Sequence, residues 1–437
     1  MKHTGRALAA AVLTTAVVVS AGAQPGEPPL AAATRDAVVK ELAQALRDRY
    51  VFPDVGALAA QKLERQAAAG AYTGLGRPPL AEALTRDLQE VTHDKHLRVA
   101  ARPPRPAGAA PSHEQREAEQ RRRMAHENFG VQKVEILPGN VGYLDLRFFP
   151  PASAGGATAV AAMNVLGNAA AVIVDLRQNG GGDPTQIQLI SSYFFAEPTH
   201  LNSLYWRKGD RTEQFWTLAY VPGRRMAEAP VFVLTSRTTF SGGEEFANNL
   251  KMVKRGTIVG ETTGGGANPG EGIDLPGDMS AFIPTGRAVN PISGGNWEGT
   301  GVEPDVKVRA EDALKVAYGA ALEKIAAAAT RPEDRAQAEW HLAANRALLE
   351  PVALDAAALR PFEGRYGART VTLEGGTLFY QREGRPKRRL TPLTKDTFAV
   401  VDVPEFRVRF VSEGDAPATR LVGLYDDGQT DEDARTP

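Results

Sequence analysis

Cysteine is absent from the 437 residues, which removes disulfides, thiolate nucleophiles, iron–sulfur clusters and Cys-type zinc sites. An excess of either charge is missing too. With 51 basic and 52 acidic residues the formal net charge is -1, so neither a nucleic-acid groove nor an anionic membrane surface is indicated, and a peptide, a protein or a small ligand is the expected partner. Histidine is scarce, at positions 3, 93, 96, 113, 126, 200 and 341, and no two form the H-x-x-x-H or H-E-x-x-H pair that presents imidazoles to a metal from one helix face. No metal and no other cofactor is expected. Nothing in the pattern assigns an oligomeric state.

Long apolar runs are confined to the start. Lys2 and Arg6 precede the apolar residues 7–19, and Ala21-Gly22-Ala23 offers a small-residue cleavage site. This reads as a signal peptide over residues 1–23, too short to span a bilayer, with an uncleaved anchor as the alternative. The expected location is periplasmic or secreted, and no later stretch is long and apolar enough to cross a membrane. An export route tolerates disulfides without requiring them.

The chain is too long for one ordinary domain. Residues 24–130 read as a helical N-terminal domain and linker: apolar residues recur at helical spacing in Val38, Val39, Leu42, Ala45 and Leu46 and again in Ala81, Leu84, Leu88 and Val91, as in a small bundle. The Pro-rich, then densely charged residues 101–123 read as an exposed connection and a solvated helix. From residue 131 to about 330 strands alternate with helices, including VGYLDL (141–146), AAVIVDL (170–176), PVFVLTS (230–236) and GTIVGE (256–261), which implies an α/β core with right-handed crossovers. Residues 331–358 read as a helical linker. Alternating segments from residue 359 suggest a small antiparallel β domain that ends near Gly428 and leaves a flexible tail.

Chemistry concentrates in TSRTTFSGGEEFANNL (235–250), where an apolar strand ends and Ser241 stands immediately before a helix. Unpaired amides and the positive dipole end would there favour a developing oxyanion. Ser241 with Glu244 three residues on is equally a capping box, which needs no catalysis. In DLRQNGGGD (175–183) three successive glycines let backbone N–H groups approach a substrate. Gly-rich turns also cradle phosphates, but the lysine of a P-loop and the G-x-G-x-x-G fingerprint are both missing. His96 in THDKHLRV (92–99) is the candidate base for a serine 145 residues downstream (241 − 96), with His93 as its competitor and a plain surface histidine as the alternative. An orienting acid is offered by Glu298, Glu303 or Asp305 in GGNWEGTGVEPDV (294–306), which could also be a surface turn.

Taken together, GYLDLRFF, VIVDLRQNGGG, SGGEEFANNL, VGETTGGG, EGTGVEPDV and the upstream DKHL resemble the tail-specific, or C-terminal-processing, serine peptidases, in the branch of tricorn-type proteases and interphotoreceptor retinoid-binding protein modules. The resemblance covers roughly residues 34 to 320. It implies a crotonase-like ββα core behind a helical N-terminal domain and hydrolysis of peptides through an acyl-enzyme. By position it implies Ser241 as nucleophile, His96 as base, Glu298 as remote acid, and the amides of Gly242 and of Gly180 or Gly181 as the oxyanion hole. Where Ser-Lys members carry T-x-G-K, this chain reads ETTGGGANPG, which favours the histidine branch. That branch can place a serine before the histidine, whereas here the neighbour is Lys95. No PDZ-like module is recognisable. A binding module for an apolar ligand and an esterase are the alternative functions.

Overall fold

A computed structural model describes residues 27–103, 112–414 and 416–436. The segment read as a signal peptide lies outside the described residues. Compactness divides the chain into two units: one is formed by residues up to Glu135 with Gly142–Ala313, the other by Ile136–Val141 with the chain from Leu314 onward.

The first unit begins with helices α1 (Ala32–Arg49), α2 (Pro53–Ala68) and α3 (Arg77–Thr92), followed by strand β1 (Arg98–Ala101) and helix α4 (His113–His126). Proline near the start of α2 and α3 is compatible with the helix because the first amides lack intrahelical partners. In α4, Ser112 and Gln115 form a reciprocal capping box on a largely exposed helix. The three leading helices do not close into a bundle of their own. Their apolar stripes (Val38, Leu42, Leu46; Leu80, Leu84, Leu88) share one core with Leu275, Met279, Ala281 and Ile283, from strands almost two hundred residues later. Those strands are β9 (Gly270–Leu275) and β10 (Met279–Pro284), which join β1 in an antiparallel sheet of order β1-β10-β9.

Between these segments lie β2 (Val131–Leu137), β3 (Val141–Leu146), α5 (Ala152–Leu166), β4 (Ala171–Asp175), α6 (Pro184–Ser191), β5 (His200–Trp206), β6 (Arg211–Trp216), β7 (Val231–Thr235), α7 (Gly242–Met252) and β8 (Gly256–Gly260). Strands β11 (Gly286–Val289) and β12 (Val306–Lys307) complete the unit. A six-stranded sheet runs β12-β8-β7-β4-β3-β2, with β12–β8, β8–β7 and β7–β4 parallel. Every residue of β3, β4 and β7 is buried, as expected of strands covered on both faces. A separate antiparallel sheet has the order β11-β5-β6.

The second unit contains α8 (Ala313–Ala328), α9 (Pro332–Leu349), α10 (Ala356–Leu359) and strands β13 (Gly364–Tyr366), β14 (Arg369–Glu374), β15 (Thr377–Arg382), β16 (Arg388–Pro392), β17 (Thr397–Val400), β18 (Val403–Val411), β19 (Arg420–Tyr425) and β20 (Thr430–Thr436). The eight strands close into an antiparallel barrel, β20 pairing with β13. The C-terminal segment is therefore not a free tail but the closing strand. Its sequence, TDEDART, carries no apolar alternation because the alternate, less exposed residues Asp431, Asp433 and Arg435 are charged and find charged or carbonyl partners. Among the described residues no helix is long and apolar enough to cross a membrane.

Candidate active site

Strand β7 delivers the chain to Ser241 through a loop stitched to the one that follows β4. Thr239 Oγ1 donates to Leu176 O at 2.7 Å, Ser236 Oγ and Thr238 Oγ1 donate to Arg177 O at 2.5 and 2.8 Å, and Phe240 N donates to Asn179 O at 3.0 Å. The base of that second loop is anchored by Asp175, whose carboxylate takes Arg177 as a fork (2.9 and 2.6 Å) and Tyr143 Oη at 2.7 Å. Fully buried Asn179 spans the gap to β3 by donating to Leu146 O at 2.9 Å. Sequence reasoning passed over Asn179 because an asparagine in a Gly-rich turn reads only as a turn former.

At the end of this scaffold Ser241 has φ 53° and ψ −119°, and α7 starts at the next residue. Such a backbone costs a non-glycine residue about 1–3 kcal/mol and marks a sharp strand-to-helix turn of the nucleophile-elbow kind. The reason for the neighbouring glycines is steric. A Cβ on Gly181 would stand 2.7 Å from Ser241 Cβ and 2.8 Å from Gly242 N, and one on Gly242 would stand 2.8 Å from Gly182 N.

Of the amides expected around Ser241, that of Gly242 is unengaged among the described residues, whereas those of Gly180 and Gly181 are taken. Gly180 N donates to Arg147 O at 3.2 Å and Gly181 N to Asn179 Oδ1 at 2.8 Å, so neither expected donor faces the serine unengaged. Among the described residues Gly182 N and Gly242 N have no hydrogen-bond partner, and the two turns approach closely there, a Cβ on Gly242 standing 2.8 Å from Gly182 N. The difference is one residue along the triplet. The Asn179 side chain folds back over the first part of the turn, a contact that composition could not announce.

Glu244, completely buried, takes four donors: Ser241 N at 2.8 Å, Thr263 Oγ1 at 2.5 Å, Gly265 N at 2.6 Å and Gly266 N at 2.8 Å. Burial raises its pKa above the ordinary carboxylate value, and these bonds act in the opposite sense. The expected capping glutamate thus also clamps the loop after β8 against the serine turn.

That loop leads to His96, only 2% exposed and lying with its ring centroid 4.6 Å from that of Phe240 and 5.9 Å from that of Phe282. Both ring nitrogens are buried without a hydrogen-bond partner, so no bond joins His96 to Ser241. A Cβ on Gly266 would meet Phe240 Cζ at 2.3 Å and His96 Cε1 at 2.7 Å, which shows how tightly the ring pair is held. Burial, assisted by the charge on Arg98, pushes the imidazole pKa down to about 3 and keeps the ring neutral.

Glu298 joins His96, as does Asp94, an acid the sequence reading did not single out although it stands within DKHL. One donor atom from each of the three lies within 4.8 Å of the other two. Asp94 Oδ1 accepts His96 N at 3.0 Å, while Oδ2 accepts Tyr50 Oη at 3.2 Å and Asn268 Nδ2 at 2.9 Å. Glu298 Oε2 accepts Ala267 N at 2.5 Å and Oε1 is buried without a partner. Burial, then the charge of Asp94, raises the Glu298 pKa to about 7. The other candidates fall elsewhere. His93 is exposed in a left-handed conformation at the end of α3, Glu303 pairs with Lys307, and Asp305 accepts Ile258 N and pairs with Lys251. Lys95, in place of a relay hydroxyl, is exposed and donates to Gly264 O.

Comparison with known proteins matches two family models to the chain. Residues 140–308 match the model of peptidase family S41, and residues 31–136 match the N-terminal domain of peptidase S41 in eukaryotic IRBP. The carboxy-terminal processing protease CtpB of Bacillus subtilis (strain 168) is 24% identical over 142 residues, 32% of this chain and 28% of that protein, so the match spans less than a third of its length. Among solved structures, a photosystem II D1 C-terminal processing protease is 18% identical, with 64% of this chain and 94% of that one covered at a TM-score of 0.40. The tricorn protease is 12% identical, with 65% and 35% covered at the same TM-score.

Proposed function

Since this chain belongs to peptidase family S41 and is a serine-type peptidase of mixed α/β fold, we propose that it hydrolyses peptide bonds through an acyl-enzyme on Ser241, with His96 as base. The observation that carries the reading is the strained Ser241 backbone at the start of α7, beside two unengaged amides. In the reaction the Ser241 hydroxyl proton passes to a ring nitrogen of His96 as Oγ attacks the substrate carbonyl. Gly242 N and Gly182 N hold the oxyanion; breakage of the C–N bond takes that proton to the departing amine, and water then releases the acyl group. Because His96 rests against Phe240, attack requires the imidazole to turn away from that ring toward Ser241 Oγ. Glu298 is the acid that steadies the charged imidazole once it forms.

Two further readings belong here. The core, a sheet with parallel central strands and buried helices, supports the crotonase-like assignment. Residues 1–23 support export as a signal peptide, which N-terminal sequencing of the mature protein tests directly. For the chemistry, Ser241→Ala is expected to lower kcat/KM for a peptide substrate by at least 10³-fold while leaving the melting temperature within a few degrees. A fluorophosphonate probe is expected to label the wild type at Ser241 and nowhere else. An unlabelled serine would favour the ligand-binding alternative, and turnover of esters without peptides the esterase.

A further inference from the structure

Asp94, His96 and Glu298 converge without hydrogen-bonding one another through their side chains. Both His96 ring nitrogens and Glu298 Oε1 are buried and unpartnered, yet one donor atom from each of the three residues lies within 4.8 Å of the others. Buried polar atoms that come this close without pairing leave a real cost unanswered. Three points no more than 4.8 Å apart always share a centre no farther than 4.8/√3, about 2.8 Å, from each. Zinc bonds to imidazole and carboxylate run about 2.0–2.2 Å, so a contraction of under about 1 Å per ligand would close the shell around an ion.

From this geometry we propose that Asp94, His96 and Glu298 bind a zinc-like divalent cation, and that the ion switches the peptidase off by occupying the lone pair of the imidazole. The inhibitory half rests on His96 being the base; the binding half does not. One imidazole nitrogen and two carboxylates suit zinc with a water in the fourth position, whereas calcium and magnesium require more oxygen ligands than converge here. The outer contacts that a metal site needs are already built. Asp94 is held by Tyr50, Asn268 and the His96 amide, and Glu298 by the Ala267 amide. Binding is simple coordination, with no bond made or broken in the protein, and chelation reverses it. No catalytic role for the metal is implied, since the ion and the proton of Ser241 compete for the same nitrogen.

Calorimetric titration of zinc chloride into the full chain tests the site, and peptide hydrolysis with fluorophosphonate labelling tests its consequence. One zinc per chain is expected, with binding weakened at least tenfold in Glu298→Gln and in Asp94→Asn and unchanged in His93→Ala, whose histidine is exposed outside the cluster. Because Asp94 carries several structural bonds, the absorption of bound Co²⁺ provides a second readout, expected in the wild type and lost in both Glu298→Gln and His96→Gln. Saturating zinc is expected to suppress hydrolysis and labelling, and EDTA to restore both. Affinity unchanged in both carboxylate variants, or a cobalt spectrum indifferent to His96, overturns the site. Zinc held by these residues with hydrolysis unaffected overturns the inhibition. Metal-free His96→Gln at full activity would instead sink the base assignment, separately from the metal.

Discussion

Ser241 is held in a backbone conformation that glycine adopts freely and serine does not, and the comparison of glycine and alanine at this position separates nucleophile from cap. If the strain is kept for catalysis, Ser241→Gly should equal or exceed the wild type in stability, by up to about 1 kcal/mol, with activity lost. If the side chain serves mainly as a cap, the glycine variant should fall slightly below it. Thermal unfolding of the two variants decides by sign. Glu245, one residue past the clamp, shows burial acting on charge. It is 7% exposed, its Oε1 has no partner, and burial first, with the charge on Asp183 also raising it, lifts its pKa to about 7. A carboxyl raised above its unfolded pKa binds extra protons in the folded state, so stability is greatest below about pH 4.5 and is lost as pH rises to 7. Glu245→Gln should therefore gain stability relative to the wild type across that window, reaching on the order of 1–3 kcal/mol above pH 7, as read by denaturant unfolding at several pH values.

The elements around the site follow from local rules that the sequence displays. β4 and β7 are continuous apolar runs and become buried parallel strands; α5 begins at Ala152, directly after Pro151 at its N-cap, a start set by the proline rather than by apolar spacing. The helix α7 is less ordinary, because Gly242 through Leu250 are all buried, among them Glu244, Glu245, Asn248 and Asn249. Amphipathic reasoning would give those polar residues to solvent. Glu244 is internal because the serine turn and the glycine loop after β8 both use it as a partner. The same logic makes Asn179 important for two loops at once. Asn179→Ala leaves Leu146 O and Gly181 N without their partner, with an expected cost of about 2–3 kcal/mol and a fall in kcat larger than any rise in KM, measured by urea unfolding beside steady-state kinetics.

At the level of the whole chain, each unit has its own core, and the barrel has a charged one in part. Arg369 is 1% exposed, hydrogen-bonded to Asp431 and 3.4 Å from Asp433, both on the closing strand, and its guanidinium lies 6.0 Å from the Phe406 ring centroid. Removing it leaves two half-exposed acids rather than two buried ones, so Arg369→Leu should destabilise the barrel by roughly 1–3 kcal/mol, below the full cost of an uncompensated buried charge. Calorimetry should register that loss while peptide hydrolysis at 25 °C is unchanged, as every residue assigned to the reaction lies in the other unit.

What could be read from the order of residues was whatever depends on near neighbours: apolar runs, helical spacing, the serine before a helix, the glycine triplet and the charge balance. The closing strand TDEDART escaped because Asp431 and Asp433 find their partner, Arg369, on β14, far back in the chain. The sheet beneath the leading helices escaped for the same reason. Which amides face Ser241, and that Asp94 stands with His96 and Glu298, were settled by tertiary packing, because a hydrogen bond or a convergence of donors is a relation between distant segments that no local pattern encodes.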